Sequence, residues 1–381
     1  MYLKKLHLRS FRNYIDRQVE FTARKTILVG NNAQGKSNLL EAIELLATLK
    51  SHRSSRDREL VLDTATVGQI EAVVERTHST NELGIIFRRK GGRTVAVNRE
   101  TMRRQLDFLG VLNAVQFSSL DLDLVRGAPR IQRSWLDGLL IQLEPIYSNI
   151  LQQYDRVLRQ RNAVLRKMRA IYKDESSGSL ELLEPQLKLW DEQLAAAGSR
   201  VTRRRTRVIS RLAPIAQFWH HRISGETEEL GINYLPNVEW IEDEPAKVQQ
   251  AFLVKIAEYR DVETKYQGTT VVGTHRDEIE FTINQTPARY YGSQGQQRTL
   301  VLALKLAELK LIEEVIGEPP LLLLDDVLAE LDLNRQQQLL EVIGNRFQTI
   351  ITTTHIDSFD RDWIQDSQIL KVQAGMITSQ Q

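Results

Sequence analysis

The chain has 381 residues, 41% hydrophobic and 26% charged, which is enough apolar material to bury a full core in two domains, or in one with a large insertion. It has no cysteine, which excludes disulfides and cysteine-ligated zinc and fits a cytoplasmic protein. No run of about 18 apolar residues is present, so a transmembrane helix is excluded, and Met1–Leu6 alternates like a strand where a signal peptide would be apolar throughout. The net charge of +2 conceals an asymmetry: +6 over residues 1–125, +9 over 126–222 and −13 over 223–381. A polyanion would be drawn to the first two thirds, unless the basic stretch is simply a solvated helix surface; the last third holds acids that a metal site could use.

The first 30 residues alternate in strand fashion, with Leu6, Leu8, Val19 and Phe21, and end in the apolar run Thr26–Val29 before a glycine. Residues 36–49 predict a helix from the spacing of Leu39, Leu40, Ile43, Leu46 and Ala47. Strands follow near 82–88 and 93–97 around a hairpin turn at Lys90–Arg93, then near 113–117. From about 129 to 215 the period becomes helical. Leu140, Tyr147, Tyr154 and Met168 recur by sevens, and Leu183, Leu187, Trp190, Leu194, Ala197, Val201 and Val208 continue at 3–4 spacing. Glu144-Pro145 separates two helices, and 174–179 reads as the turn between two antiparallel ones, each of about 30 residues or roughly 45 Å. Beyond residue 269 the α/β pattern returns: a strand at 279–283, a helix at 294–316, a buried strand at 321–324, a helix at 333–345 and a strand at 349–353.

Gly30-Asn31-Asn32-Ala33-Gln34-Gly35-Lys36-Ser37, followed by Asn38, fits G-x-x-x-x-G-K-[ST] between a strand and a helix, the context that makes a phosphate loop. Lys36 would neutralise the β and γ phosphates of ATP, and Ser37 would ligate Mg²⁺. Leu321–Leu324 followed by Asp325-Asp326 is a Walker B strand: Asp325 would hold Mg²⁺, and Asp326 would orient or deprotonate the attacking water. Ser293-Gln294-Gly295-Gln296, placed 32 residues before Asp325, is similar to the ABC signature, whose helix N-terminus binds a γ-phosphate; it also fits a plain S-x-x-Q capping box. Ala329-Glu330-Leu331-Asp332 follows as a D-loop would. Gln116 sits where a Q-loop glutamine couples phosphate and metal to a helical lobe, and His355 near a switch histidine; a solvated glutamine and a lone surface histidine are the alternatives.

These pieces define an α/β fold: a P-loop, ABC-type ATPase head built from both chain ends (1–125 and 269–381), with an inserted α-helical lobe (126–268) of short antiparallel coiled-coil-like helices. The chain resembles the RecF family over essentially its whole length. Phe11–Tyr14, Ser51-His52-Arg53, Gly127–Arg130 with Arg133 and Leu136-Asp137, Thr274–Asp277, Ser293–Gln296 and Leu324–Asp332 carry the likeness. Ser119 and Thr274 depart from it, standing where that family commonly has proline. The resemblance implies an ATP-dependent, slowly hydrolysing, DNA-binding homodimer. It would act on gapped DNA, single- or double-stranded, in DNA damage repair, replication and recombination, with RecR and RecO, to help load the RecA recombinase.

Arg161, Arg204 and Arg211 interrupt the apolar seams and are expected to pack or pair internally. Arg200, Arg203, Arg205 and Arg207 have no such alternative and are the expected phosphate contacts, with Arg12, Arg53, Arg56, Arg130 and Arg133 next in line. A transporter ATPase subunit would begin its signature Leu-Ser-Gly-Gly-Gln and need no basic lobe. An anti-phage nuclease of the overcoming-lysogenization type would need a further domain with Glu and Asp-x-Asp metal ligands. A nucleotide-gated scaffold without useful hydrolysis stays open as an alternative.

Overall fold

The computed structural model describes the chain except at residues 55, 175–178, 329, 330, 357, 358, 360, 380 and 381, together with the side chains of 333, 334, 361 and 362. Most of the turn expected at 174–179, and the first half of the expected D-loop, therefore lie outside the described residues. Two six-stranded sheets enclose the helix Lys36–Thr48. The first is antiparallel, in the order 14–20, 2–11, 67–75, 80–88, 93–97, 100–101. Its hairpin turn falls where Gly91-Gly92 predicted it, Phe87 pairing with Arg93 across it. The second is parallel but for one edge strand: 376–379, 367–373, 25–29, 349–353, 321–325, 114–118. It draws strands from both chain ends, and all its parallel strands finish at one edge.

Leu321–Leu324 are fully buried because the sheet is covered on both sides. Leu321 and Leu323 join the core with the Lys36–Thr48 helix; Leu322 and Leu324 join the other core, built on the helix Gln294–Ile316. That helix packs along Leu180–Ile223, a helix of 44 residues, about 66 Å long. The sequence underestimates it: the second long helix runs eight residues past 215, while its partner Tyr147–Tyr172 has 26 residues. A three-stranded sheet (286–287, 278–283, 230–235) and the helix Pro245–Glu258 pack beside these helices, two of the strands coming from beyond residue 268; the 230–235 strand and that helix were not foreseen.

The heptad seam holds. Leu140, Tyr147, Tyr154 and Met168 are all buried, and Arg161, at the seam position between Tyr154 and Met168, is fully buried too. Its guanidinium donates to Asp191 (2.8 Å), Glu263 (2.5 Å) and Thr270 (2.8 Å), so the charge is matched inside the lobe. Arg204 pairs with Glu144 at 2.9 Å, both side chains partly exposed, whereas Arg211, expected to pack or pair internally, is exposed. Ser119 and Thr274 each open a short 3-10 turn. Proline is tolerated at that first position, so both departures leave the turns intact.

The Thr274 turn is tied to the long helices through His275, whose Nε2 faces the Thr270 carbonyl (3.1 Å) and whose Nδ1 meets the Tyr154 hydroxyl (2.8 Å). Burial pushes the imidazole down to about 4; the Thr270 carbonyl opposes this, and Arg276, Arg133 and Arg161 push the same way as burial. The neutral ring is thus the folded form. Stability from this site is full above the unfolded value of 6.5 and is lost as pH falls toward about 4, where the unfolded chain binds a proton that the folded one refuses. The loss is at most about 3 kcal/mol. Replacing His275 with Gln should therefore flatten the fall in thermal midpoint between pH 7 and pH 4.5; a parent and variant with parallel pH curves would remove His275 from the account.

Candidate nucleotide site and basic surface

The strand Lys25–Val29 ends at Gly30, where a Cβ would lie 2.2 Å from the Val372 carbonyl oxygen, so only glycine lets the loop leave the sheet. At the other end Gly35 caps the helix with φ +117°, and a Cβ there would meet Asn13 at 2.7 Å and the Tyr14 hydroxyl at 3.0 Å. Those two neighbours hold the loop: Asn13 donates to the Gln34 carbonyl (3.0 Å) and Tyr14 to the Gly35 carbonyl (2.9 Å). The Phe11–Tyr14 segment is thereby explained as a loop brace. Asn31, Asn32 and Ala33 are exposed, and Asn38 donates to Asn13 at 2.8 Å. Lys36 is buried, and its ammonium spans the loop, donating to the carbonyls of Gly30 (2.6 Å) and Asn31 (3.1 Å). A phosphate, being charged, is a stronger acceptor than either carbonyl.

Across the sheet edge, Asp325 Oδ1 accepts from the Ser37 hydroxyl and from Thr352, both at 2.8 Å. Asp326 adopts φ 54°, and its N–H donates to the Thr352 hydroxyl at 2.9 Å. Burial raises the Asp326 carboxyl above the usual range; Lys36 and a Thr352 hydrogen bond oppose this, and Asp325 adds to it. Gln116 lies opposite Leu323 in the register, on the sheet face that carries Asp325 and the Lys36–Thr48 helix. Its Oε1 is buried without a protein partner, while its Nε2 is 3.3 Å from the His52 ring. Hydroxyl, carboxylate and an unpartnered amide oxygen form a hard-oxygen set that fits Mg²⁺. His355 is exposed just after the strand 349–353, at the same edge.

Ser293 and Gln296 do form the reciprocal capping box: Ser293 Oγ accepts from the Gln296 N–H (3.2 Å), and Gln296 Oε1 accepts from the Ser293 N–H (2.8 Å). Gln296 also donates to Glu228 at 2.9 Å, and Gly295 lies in the first turn of the helix. Sequence reasoning gave no role to His52, held by Glu44 at 2.7 Å, or to Lys305, buried and paired with Asp121 at 3.0 Å and Glu308 at 3.3 Å. His52 was visible within Ser51-His52-Arg53; Lys305 had no signal, because a lysine on an apolar helix reads as surface.

The basic run needs one correction. Arg205 is buried, binding Asp137 with two bonds of 2.9 Å, Asp277 at 3.1 Å and the Thr274 carbonyl at 2.8 Å, so it cannot meet DNA. Leu136-Asp137 and Thr274–Asp277 are thus the acidic half of an internal brace. Arg200 and Arg207 are exposed and Arg203 partly so, but Arg203 and Arg207 share Asp243, with Arg207 Nη2 at 2.8 Å. Among the second-rank arginines, Arg12 turns to buried Glu41 and Arg133 to the Asp277 carbonyl, whereas Arg53, 3.9 Å from Glu41, and Arg56 and Arg130 are exposed.

A P-loop joined to an acidic strand end on a parallel sheet, beside a long helical insertion, makes this an ATPase head of the ABC and SMC class. The family model for the RecF/RecN/SMC N terminal domain matches residues 2–378. The chain is 67% identical to the DNA replication and repair protein RecF of Gloeothece citriformis and 66% identical to that of Nostoc punctiforme, covering 99% of both chains in each case. It superposes on a solved structure of the recombination mediator protein RecF with ATP, from the RecFOR pathway, with a TM-score of 0.89 and 32% identity over 100% of this chain and 98% of that one. A Pyrococcus furiosus Smc head, at 15% identity and a TM-score of 0.53, shares the fold alone. The chain belongs to the RecF family.

Two experiments test the site. Lys36→Met should weaken ATP binding by about a hundredfold or more, whereas Asp326→Asn should bind ATP normally and hydrolyse it about a hundredfold more slowly. Equal loss of binding in both would separate Asp326 from the reaction. On the basic surface, Arg200, Arg203 and Arg207 together to alanine should reduce the slope of DNA affinity against salt by about 0.9 per lost phosphate contact, and Asp243→Asn should tighten DNA binding. Arg205→Ala should instead destabilise the fold by about 3–5 kcal/mol.

Proposed function

We propose that this protein is an ATP-gated DNA clamp of recombinational gap repair. The observation that carries the reading is the hydrogen bond between Ser37 and Asp325, which assembles a nucleotide site from both ends of a chain whose insertion bears arginines. Residues 1–125 and 269–381 act as the ATPase lobe and 126–268 as the DNA-facing lobe. Lys36 and the loop amides hold the phosphates, Ser37, Asp325 and Gln116 hold Mg²⁺, and Asp326 orients the attacking water. Mg²⁺, when bound, neutralises charge on the β and γ phosphates. His355 contributes at the γ-phosphate side. Hydrolysis is slow and serves as a switch, and with RecR and RecO the clamp helps load RecA at gaps in the cytoplasm. Among the described residues no helix is long and apolar enough to cross a membrane.

The phosphate loop contacts one side of a nucleotide, and the signature residues stand on a different helix. The economical closure is two-fold and head-to-tail, with Ser293, Gly295 and Gln296 of one copy over ATP on the other. The γ-phosphate is the anion those helix N-terminal amides bind, so ATP closes the pair and ADP releases it. Ser293→Arg should keep near-parent ATP affinity, stay monomeric with ATP in sedimentation, and lose hydrolysis and ATP-stimulated DNA binding together. A variant that still dimerises with ATP, or a parent equally dimeric with ADP, would sink the composite site.

A further inference from the structure

Arg335 joins the signature turn, which the two-copy reading places over ATP on a second copy, to the end of the expected D-loop, although no sequence motif marks it. It lies in the first turn of the helix Leu333–Ile343, with its side chain 26% exposed. Its Nε donates to the Thr299 hydroxyl at 2.9 Å, its Nη2 reaches the Gly295 carbonyl at 3.4 Å, and its Nη1 pairs with Asp332. The Thr299 hydroxyl itself donates to the Gly295 carbonyl at 3.1 Å. Asp332 uses its other oxygen to cap the helix, accepting the Arg335 N–H at 3.0 Å. One planar fork therefore links Gly295, in the first signature turn, to Asp332, the last residue of the expected D-loop.

A partly exposed pair of this kind adds little to the stability of a single chain. What it fixes is geometry. Three donors in set directions hold a carbonyl, a hydroxyl and a carboxylate from two helices in one arrangement, which a lysine's single point charge does not reproduce. A signature turn free to shift by about 1 Å relative to its neighbour would present its amides badly to a phosphate.

We propose that Arg335 is a positioning residue of the composite nucleotide site: it makes the signature turn and Asp332 one rigid edge, and that edge acts on ATP bound to a second copy of the chain. The proposal rests on the two-copy reading above.

Arg335→Met, which keeps much of the apolar stem, should bind ATP within about twofold of the parent and melt within about 3 °C of it. Its ATP-driven dimerisation, followed by sedimentation, should need at least about tenfold more protein. Hydrolysis per chain should fall at low protein concentration and recover at high concentration, and Arg335→Lys should recover part of the loss. The decisive arm mixes Arg335→Met with Lys36→Met. The first binds ATP but has a loose edge; the second binds ATP poorly but has an intact one, so a mixed pair contains one complete site. Hydrolysis several-fold above the sum of the two variants assayed apart supports action across the pair. Activity equal to that sum, or an Arg335→Met chain that dimerises as readily as the parent, overturns the proposal. A parent that stays monomeric with ATP overturns the two-copy reading itself, and the proposal with it.

Discussion

The hydrogen bond from Ser37 to Asp325 spans 288 residues of sequence, and the rest of the architecture is arranged so that it can form. Each partner is placed by backbone. Ser37 is fixed by a loop that leaves its strand through one glycine and enters its helix through another; Asp325 is fixed by a strand buried on both faces. Because strands from both chain ends lie in one parallel sheet, everything between them must leave the sheet and return. The helical lobe is that excursion. The site exists only once the long-range pairing is complete, so it cannot form in either end alone.

Some of this is legible in sequence and some is not, for identifiable reasons. The phosphate loop, the Walker B strand and the capping serine are local backbone chemistry, which residue type reports directly. The strand 67–75 escapes notice because its inward positions include Gly68 and Ala72, small residues that blur the alternation. The strand 367–373 escapes because it completes a sheet begun at residue 25, and nothing nearby signals its partner. The arginines show the same limit. Arg205 and Arg207 belong to one run, yet one is buried against Asp137 and Asp277 and the other faces solvent. The difference lies in the acids the fold brings opposite Arg205, from residues about 70 positions away.

That sorting has a consequence for the lobe. Arg161 and Arg205 are held by acids from different segments, so each is a multi-point tie and not a simple pair. Removing one partner of such a tie leaves an unmatched buried charge, which is far costlier than losing a surface pair. The helices are locked together by charge as well as by their apolar seam. The lobe is therefore stiff along its length, and arginines on its outer face keep fixed spacings.

Stiffness is what an ATP-dependent switch at the sheet edge requires. Gln116 lies two residues before Ser118, the last residue of its strand, where Asp121 caps the next turn by accepting the Ser118 N–H at 2.7 Å. The same carboxylate holds Lys305 in the middle of the signature helix. Burial opposes a charge on that lysine, but Asp121 and Glu308 keep it protonated. A displacement at Gln116 thus reaches the signature helix through one turn and one buried ion pair. The helix in turn lies along the 44-residue helix that carries the basic surface. Each step of the route is a backbone link, a hydrogen bond or a buried ion pair, so a small rearrangement around a γ-phosphate would be passed on toward the helical lobe as a shift of packed elements.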